Sequence, residues 1–583
     1  MNRRIMKHLK SALMAVSLLL GSGLQVCAQS FYIGDYKAIH DSYYNMWLCS
    51  IPQELFGTSW VSNVQMDSLW SEVRINGIEV ADGDTVTFDD IAGDRNYPIT
   101  ATIDGQHVEG VISFTWLPLL ELEGNFGNDY TNGLVTVNTN DGSHASALPA
   151  KLKWRGHSTN TAGKHKRNYH IKFIDENGDK KDQSFFGLRK DNHWKLDAGQ
   201  ADLLRIRNRV CSELWLDMSV KPWYQDLEPK VINGSRGEVT ELILNGEYRG
   251  IYSLIEPVDR KQLKLVKHDT TNNVFHGQAW KVENWCRTAS MSAPVAFNNN
   301  SETWDGFELV YPDIEDVSPT KWETLHRSIM FVNRMDATDN WVAFADSLEY
   351  YFDMPVMVDY FILLNIMLGL DNETKNIYYS CYDNDMGELP LVMTPWDMDI
   401  SFGSYGSSSI TADKVRPNRP FDWCSNVAMY DMFFCTNKYR NMAIKRYWKL
   451  RKTFLDPDSL VGRFRHAVDV LELSGAASRE EGRWSKDSDI QGMKLDISNE
   501  MAYVENWIRQ RIDYLDNNFF PRPEPLYGDV NGDESVSIAD VTALIDYLLG
   551  GNAEIDEINS DVDTDGQISI SDVTALIDLL LRL

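Results

Sequence analysis

Positive charge is in short supply in this chain. Its 583 residues hold 56 Lys and Arg against 85 Asp and Glu, a formal net charge of −29. That balance repels nucleic acid and anionic membrane and excludes both as general partners. Long apolar runs are missing too. Beyond Ser30 none approaches the roughly 18 to 20 residues needed to span a bilayer, and "FILLNIMLGL" (Phe361 to Leu370) reads as a buried helix. Paired cysteines are absent as well. Cys49, Cys211, Cys286, Cys381, Cys424 and Cys435 are scattered, with no Cys-x-x-Cys and no His at metal spacing, which argues against a zinc site. Cys424 and Cys435 are the closest pair in sequence; buried free thiols are the alternative to a disulfide.

The N-terminus has a basic start, an apolar run from Ala12 to Leu20 and small residues before Val26-Cys27-Ala28. This is the pattern of a secretory signal peptide (residues 1–28), with cleavage expected after Ala28 and a lipid anchor at Cys27 as the weaker alternative. The protein is therefore expected to be secreted or periplasmic. Residues 29–115 alternate in short runs such as "SEVRINGIEV" and "VEGVISFTW", the texture of a small β-sandwich acting as a spacer or binding module. From residue 116 to 520 strands such as "NYHIKF" and "GIYSLIEP" give way to amphipathic helices beginning near Thr320. The fold class expected is α+β, in two lobes with a cleft between them. A Pro-rich linker at 521–527 precedes the domain at 528–583.

That last segment repeats itself. "DVNGDESVSIADVTALID" begins at Asp529 and "DVDTDGQISISDVTALID" at Asp561, so VTALID recurs. Oxygen-bearing side chains fall at loop positions 1, 3, 5, 9 and 12: Asp529, Asn531, Asp533, Ser537 and Asp540, then Asp561, Asp563, Asp565, Ser569 and Asp572. Alternate positions of a tight loop turn their oxygens inward, as Ca²⁺ requires. One helix follows each loop, and position 12 is Asp. The segment resembles a type I dockerin, departing mainly at Glu534, where the second copy has Gly566. The resemblance implies two Ca²⁺ sites and docking onto a cohesin of a scaffold or cell surface.

The central segment carries a second constellation. Asp371 and Asn376 flank a short loop between an apolar helix and the strand "NIYYSCY"; Asp397 follows the apolar run "LVMTPW", and Asp399 lies two residues on. If the chain stays extended there, Asp397 and Asp399 share a side. Two such carboxylates repel unless a proton or a divalent cation intervenes. A turn cap at Asp399 before Gly403 is the structural alternative. The order of parts is that of phosphoryl transfer: Asp371 as base, then Asn376 and Asp397 as Mg²⁺ ligands, with Asp399 beside them. An ordinary protein kinase is excluded, since Gly369-Leu370 replaces His-Arg and Asp-Phe-Gly is absent.

"KWRGHST", "KRNYHIKF", "FFGLRKDNHWKLDAGQADLLRIRNRV", "LNGEYRGIYSLIEPVD" and "WDMDISFG" occur in order between about Leu117 and Phe520. Together they resemble the CotH family of spore-coat-type atypical kinases. The departures are His157 in place of Asn and no Trp after Thr159. The resemblance implies a two-lobed kinase-like fold, Mg-ATP, and a protein acceptor that remains unidentified. Toward the phosphates, Lys172 on "YHIKF" is expected to act as the strand lysine, with Lys166 as runner-up and Glu213 as its partner. Two other functions compete. One is a surface interaction protein that uses a kinase-like fold without catalysis. The other is a carbohydrate-active enzyme with Asp397 in an acid–base pair.

Overall fold

The computed structural model describes residues 30–156, 158–161, 163–272, 274–313, 322–387, 389–404, 411–420, 427–485, 494–522, 524–533 and 535–582. The expected signal peptide, Cys424, His157 and Glu534 lie outside the described residues. Two compact units are present, one ending at Tyr514 and one from Leu515 to Leu583. The first unit goes from mostly strands to mostly helices, with the helices Arg207–Met218 and Met354–Met367 set among its strands, and among the described residues the second has helices alone. No described helix is long and apolar enough to cross a membrane.

The first unit opens with strands between Phe31 and Thr115 that pair edge to edge as one nine-stranded sheet. Period-2 alternation puts Ile75, Phe88, Ile99, Ile112 and Phe114 into one core. This sheet packs on the element that follows it. Its Ile39, Met46 and Leu48 pack directly against Leu119, Ile243 and Tyr248 of the next element. The Tyr248 amide donates to Asp41 Oδ1 at 2.7 Å.

That next element is a closed seven-stranded barrel. Its order is Leu119–Gly124, Thr131–Asn138, His144–Arg155, Asn168–Phe173, His193–Asp197, Glu247–Ile255 and Gly237–Leu244. The last strand pairs in parallel with the first to close the ring. Leu152, Tyr169, Ile171, Trp194, Leu196 and Leu254 fill the interior, so the intervening residues of each strand point outward. The helix Arg207–Met218 leads away from the barrel strand ending at Asp197.

A five-stranded antiparallel sheet follows, ordered Thr303–Trp304, Phe307–Tyr311, Gln278–Val282, Ile377–Cys381 and Val392–Pro395. The helix Met354–Met367 is apolar on every side, and all but one of its residues are buried. Later helices include Ala476–Trp484 and Ile497–Tyr514. Trp194, Trp215, Trp280, Trp322 and Trp507 are fully buried, which makes them core and not sugar platforms. Among the described residues Cys49, Cys211, Cys286, Cys381 and Cys435 are free thiols.

Candidate functional site

The site begins where the buried helix ends. Leu368 takes a left-handed conformation and closes Met354–Met367, and the loop 369–376 then turns back toward the sheet. Three hydrogen bonds fix that loop. Tyr360 Oη donates to the Asn372 carbonyl at 2.7 Å, Asn372 Nδ2 donates to the Trp396 carbonyl at 2.8 Å, and the Trp396 amide donates to the Asn376 carbonyl at 2.9 Å. The two parts of the constellation, 21 residues apart in sequence, are thereby held together. Asn376 Nδ2 donates to Asp371 Oδ2 at 3.3 Å and to the Asp397 carbonyl at 3.4 Å. Lys375 Nζ lies 2.7 Å from Asp371 Oδ2.

The extended chain expected at Asp397 is not what forms. The strand stops at Pro395, and Asp397 has φ of 53°, so a left-handed turn separates the two carboxylates. They still act on one another. Asp399 is raised well above the carboxylate range, first by burial and then by Asp397, Asp197 and Asp371. Asp397 is raised by burial and then by Asp197, with Arg155 and Lys281 opposing. Neither carboxylate accepts a hydrogen bond among the described residues, and Asp399 caps no turn. Half-buried carboxylates that repel one another favour a neighbouring cation, but among the described residues they do not gather three oxygens within 4.8 Å as Asp561, Asp563 and Asp572 do in the second unit.

Sequence reasoning missed Asp197 and Asn208. Asn208 Nδ2 donates to Asp197 Oδ2 at 2.7 Å, and Asn208 Oδ1 accepts from the Met398 amide at 3.1 Å, which ties the barrel edge to the turn between the two aspartates. Asp197, Asn208, Ser212, Ser253 and Trp396 line one small cleft. Also missed was Lys195. Its ammonium lies 4.2 Å from the centre of the Trp396 ring, with Arg155 over the same ring at 5.9 Å. Burial and then Arg155 and Lys281 press Lys195 well below the ordinary lysine value, against the pull of Asp259 and Glu283. The signal was present in "HWKLD": period 2 puts Trp194 and Leu196 inside the barrel and Lys195 and Asp197 together outside.

The expected lysines lie elsewhere. Lys172 stands over the Tyr130 ring at 4.6 Å, and Glu213 pairs with Arg209 at 3.0 Å, so the predicted Lys172–Glu213 pair does not form. Glu213 faces away because Arg209 is its i−4 neighbour on the same helix. Lys166 is buried in a separate network, 3.2 Å from Glu480 of the helix Ala476–Trp484 and 4.3 Å from the Tyr252 ring centre. Burial pushes it down to about 7 while Glu480 pulls the other way.

In the second unit, Asp561, Asp563 and Asp572 bring carboxylate oxygens within 4.8 Å of one another. Asp561 Oδ1 is buried with no hydrogen-bond partner, an oxygen fit for a cation. Asp540 and Asp572 are fully buried at the third position of their helices, each in a reciprocal cap with Ser537 or Ser569. Those two serine hydroxyls are thus engaged in capping. Asp540 Oδ1 accepts the Asn531 amide at 3.0 Å, and Asn531 and Asp533 continue the first loop from Asp529. Asp565 is exposed and accepts the Gln567 amide at 2.8 Å.

The family model described as CotH kinase protein matches residues 152–515, and that of the dockerin type I domain matches residues 527–581. No curated protein matches the chain. Type I dockerin domains bind calcium and dock on cohesins. The first match takes in the barrel from the end of the strand His144–Arg155 onward, the helix Met354–Met367 and the whole aspartate cluster, more than half of the chain. The protein belongs to the CotH kinase protein family and carries a type I dockerin domain.

Proposed function

We propose that the protein is an exported phosphotransferase that moves the γ-phosphate of ATP to a protein hydroxyl while its dockerin holds it on a cohesin. The observation that carries this reading is the meeting of two opposite charge sets near Trp396. Asp197, Asp371, Asp397 and Asp399 act on one another, and Lys195 and Arg155 lie over the Trp396 ring with no ion-pair partner among the described residues. Carboxylates for a metal beside cations for phosphate are the elements that phosphoryl transfer needs. The barrel forms one lobe and the helical part the other.

Mg-ATP supplies the transferable phosphoryl group and the metal charge. Asp397, Asp399 and Asn376 would hold the metal, with Asp197 tied to the same turn through Asn208. Lys195 and Arg155 orient the phosphates. Asp371, poised by Lys375 and Asn376, accepts the proton of the acceptor hydroxyl as its oxygen bonds to phosphorus and the bond to the nucleotide breaks. Asp529, Asn531, Asp533 and Asp540 hold one Ca²⁺, and Asp561, Asp563, Asp565 and Asp572 hold the other.

Labelled γ-phosphate transfer by the full chain, onto itself and onto mixed protein acceptors, tests the reading. Wild type is expected to transfer label and Asp371→Asn to lose at least roughly a hundredfold while still binding nucleotide. Equal transfer by both proteins would remove Asp371 from the role of base.

A further inference from the structure

The barrel carries more positive charge on its outer face than a nucleotide can use. On the strand His144–Arg155, Lys151, Lys153 and Arg155 occupy alternate outward positions. Across the pairing, Lys151 stands opposite Lys172 and Lys153 opposite His170; on the next strand Lys172 faces His193 and His170 faces Lys195. Of these pairs Lys151 and Lys172 set two like charges directly opposite one another, which destabilises a sheet. No described carboxylate comes within ion-pair distance of Lys151, Lys153, Lys172 or Lys195, in a chain that holds 85 acidic residues.

The local field is correspondingly positive. Lys172 is lowered by burial and then by Lys153 and Lys180, with Asp313 opposing. His193 is pushed down to about 3 by burial and then by Lys195 and Lys172. Tyr130 sits among these groups, with its ring 4.6 Å from the ammonium of Lys153 and of Lys172 and its hydroxyl 3.1 Å from His170 Nδ1. Only the end of the face at Lys195 and Arg155 meets Trp396. The remainder leads away from the aspartates.

We propose that this outer face, from Lys153 to Lys151 and Lys172, is the acceptor subsite, and that it selects an extended polypeptide with anionic side chains, carboxylate or phosphoryl, at alternate positions beside the accepted hydroxyl. Alternate residues of a strand repeat every roughly 6.8 Å, so an extended peptide lying along Lys151 and Lys153 matches them in register. The same line runs on to Arg155, which lies over the Trp396 ring. This inference rests on the phosphotransfer reading for the word acceptor, although the binding itself does not.

The test is fluorescence anisotropy with the full chain, without nucleotide. Three labelled peptides carry a Ser flanked at alternate positions by Glu, by phosphoserine or by Gln. The Glu or phosphoserine peptide is expected to bind at least tenfold more tightly than the Gln peptide and to weaken at least tenfold between about 50 and 300 mM salt. The tighter of the two identifies the kind of anion. K151E/K153E is expected to lose at least tenfold in peptide affinity while its Mg-ATP affinity stays within about twofold; K151Q/K153Q serves if the reversal does not fold. Three results would overturn the proposal: no preference for Glu or phosphoserine over Gln, loss of Mg-ATP and peptide binding together, or tighter binding of an oligonucleotide of equal charge. Failure of the wild type to bind Mg-ATP would count against phosphotransfer alone.

Discussion

Lys195 shows how a single residue trades stability for function. Its ammonium is half-buried over Trp396, repelled by Arg155 and Lys281, and without an ion-pair partner among the described residues. An uncompensated charge in such a place costs stability. Lys195→Met should therefore melt at the same temperature or higher, yet bind Mg-ATP about 10 to 100 times more weakly, and calorimetry beside a thermal scan reads both effects. Glu373, in the loop with Asp371, makes a pH prediction. The residue is 8 % exposed, Oε2 lacks a partner, and burial, with Arg419 opposing and Asp371 adding, pushes it up to about 8 from 4.5. With the folded value above the unfolded one, the unfolded chain releases this proton first, so stability falls as pH rises from about 4.5 to 8. The loss is at most about 5 kcal/mol at 1.36 kcal/mol per unit. Glu373→Gln should raise the melting temperature relative to wild type at pH 8 and leave little difference at pH 4.5.

At the scale of elements, much was legible and the exceptions have physical reasons. The helix before Asp371, the strand after Asn376 and the apolar run before Asp397 all form, because uninterrupted burial leaves a strong pattern. The two calcium loops were visible because a repeat in register is hard to produce otherwise. The turn at Asp397 was not visible, since a left-handed Asp leaves no periodic trace. Nor was the choice among lysines: Lys166, Lys172 and Lys195 all lie on or near strands, and only the closure of the barrel decides that Lys195 meets Trp396 while Lys166 meets Glu480. The dockerin core is small, with Val530, Val541, Leu544, Val573 and Leu576 at its centre. Such a core depends on its ions. Removing Ca²⁺ with a chelator should abolish the circular-dichroism contribution of the helices Ile538–Leu548 and Ile570–Leu580 and leave the main melting transition, from the unit ending at Tyr514, in place.

At the scale of the whole molecule, the N-terminal sheet is part of the framework that holds the barrel. Arg479 grips Glu241 with two bonds at 2.8 and 2.9 Å and donates to the Gly93 carbonyl at 3.0 Å, and Tyr44 Oη donates to the Arg479 carbonyl at 2.6 Å. The approach is glycine against glycine. A Cβ on Gly475, whose φ is 77°, would stand 1.9 Å from the Gly93 oxygen. Gly475→Ala should cost about 3 kcal/mol or more, and a chain beginning at residue 116 should lose the cooperative melting of the longer protein. Next to Arg479, Glu480 accepts from Arg205 Nε at 2.6 Å and from the Ile251 amide at 2.8 Å. The sheet, the helix Ala476–Trp484 and the barrel are thus linked through one buried polar network.

The measurement that bears most directly on the central claim is calorimetric titration of Mg-ATP into the full chain, wild type beside Asp397→Asn. The account predicts Mg²⁺-dependent binding by the wild type and a loss of at least about a hundredfold in the variant, with no drop in the variant's melting temperature. Wild-type protein that binds no nucleotide, or a variant that binds it as tightly, would contradict the assignment of the aspartate cluster to phosphoryl transfer.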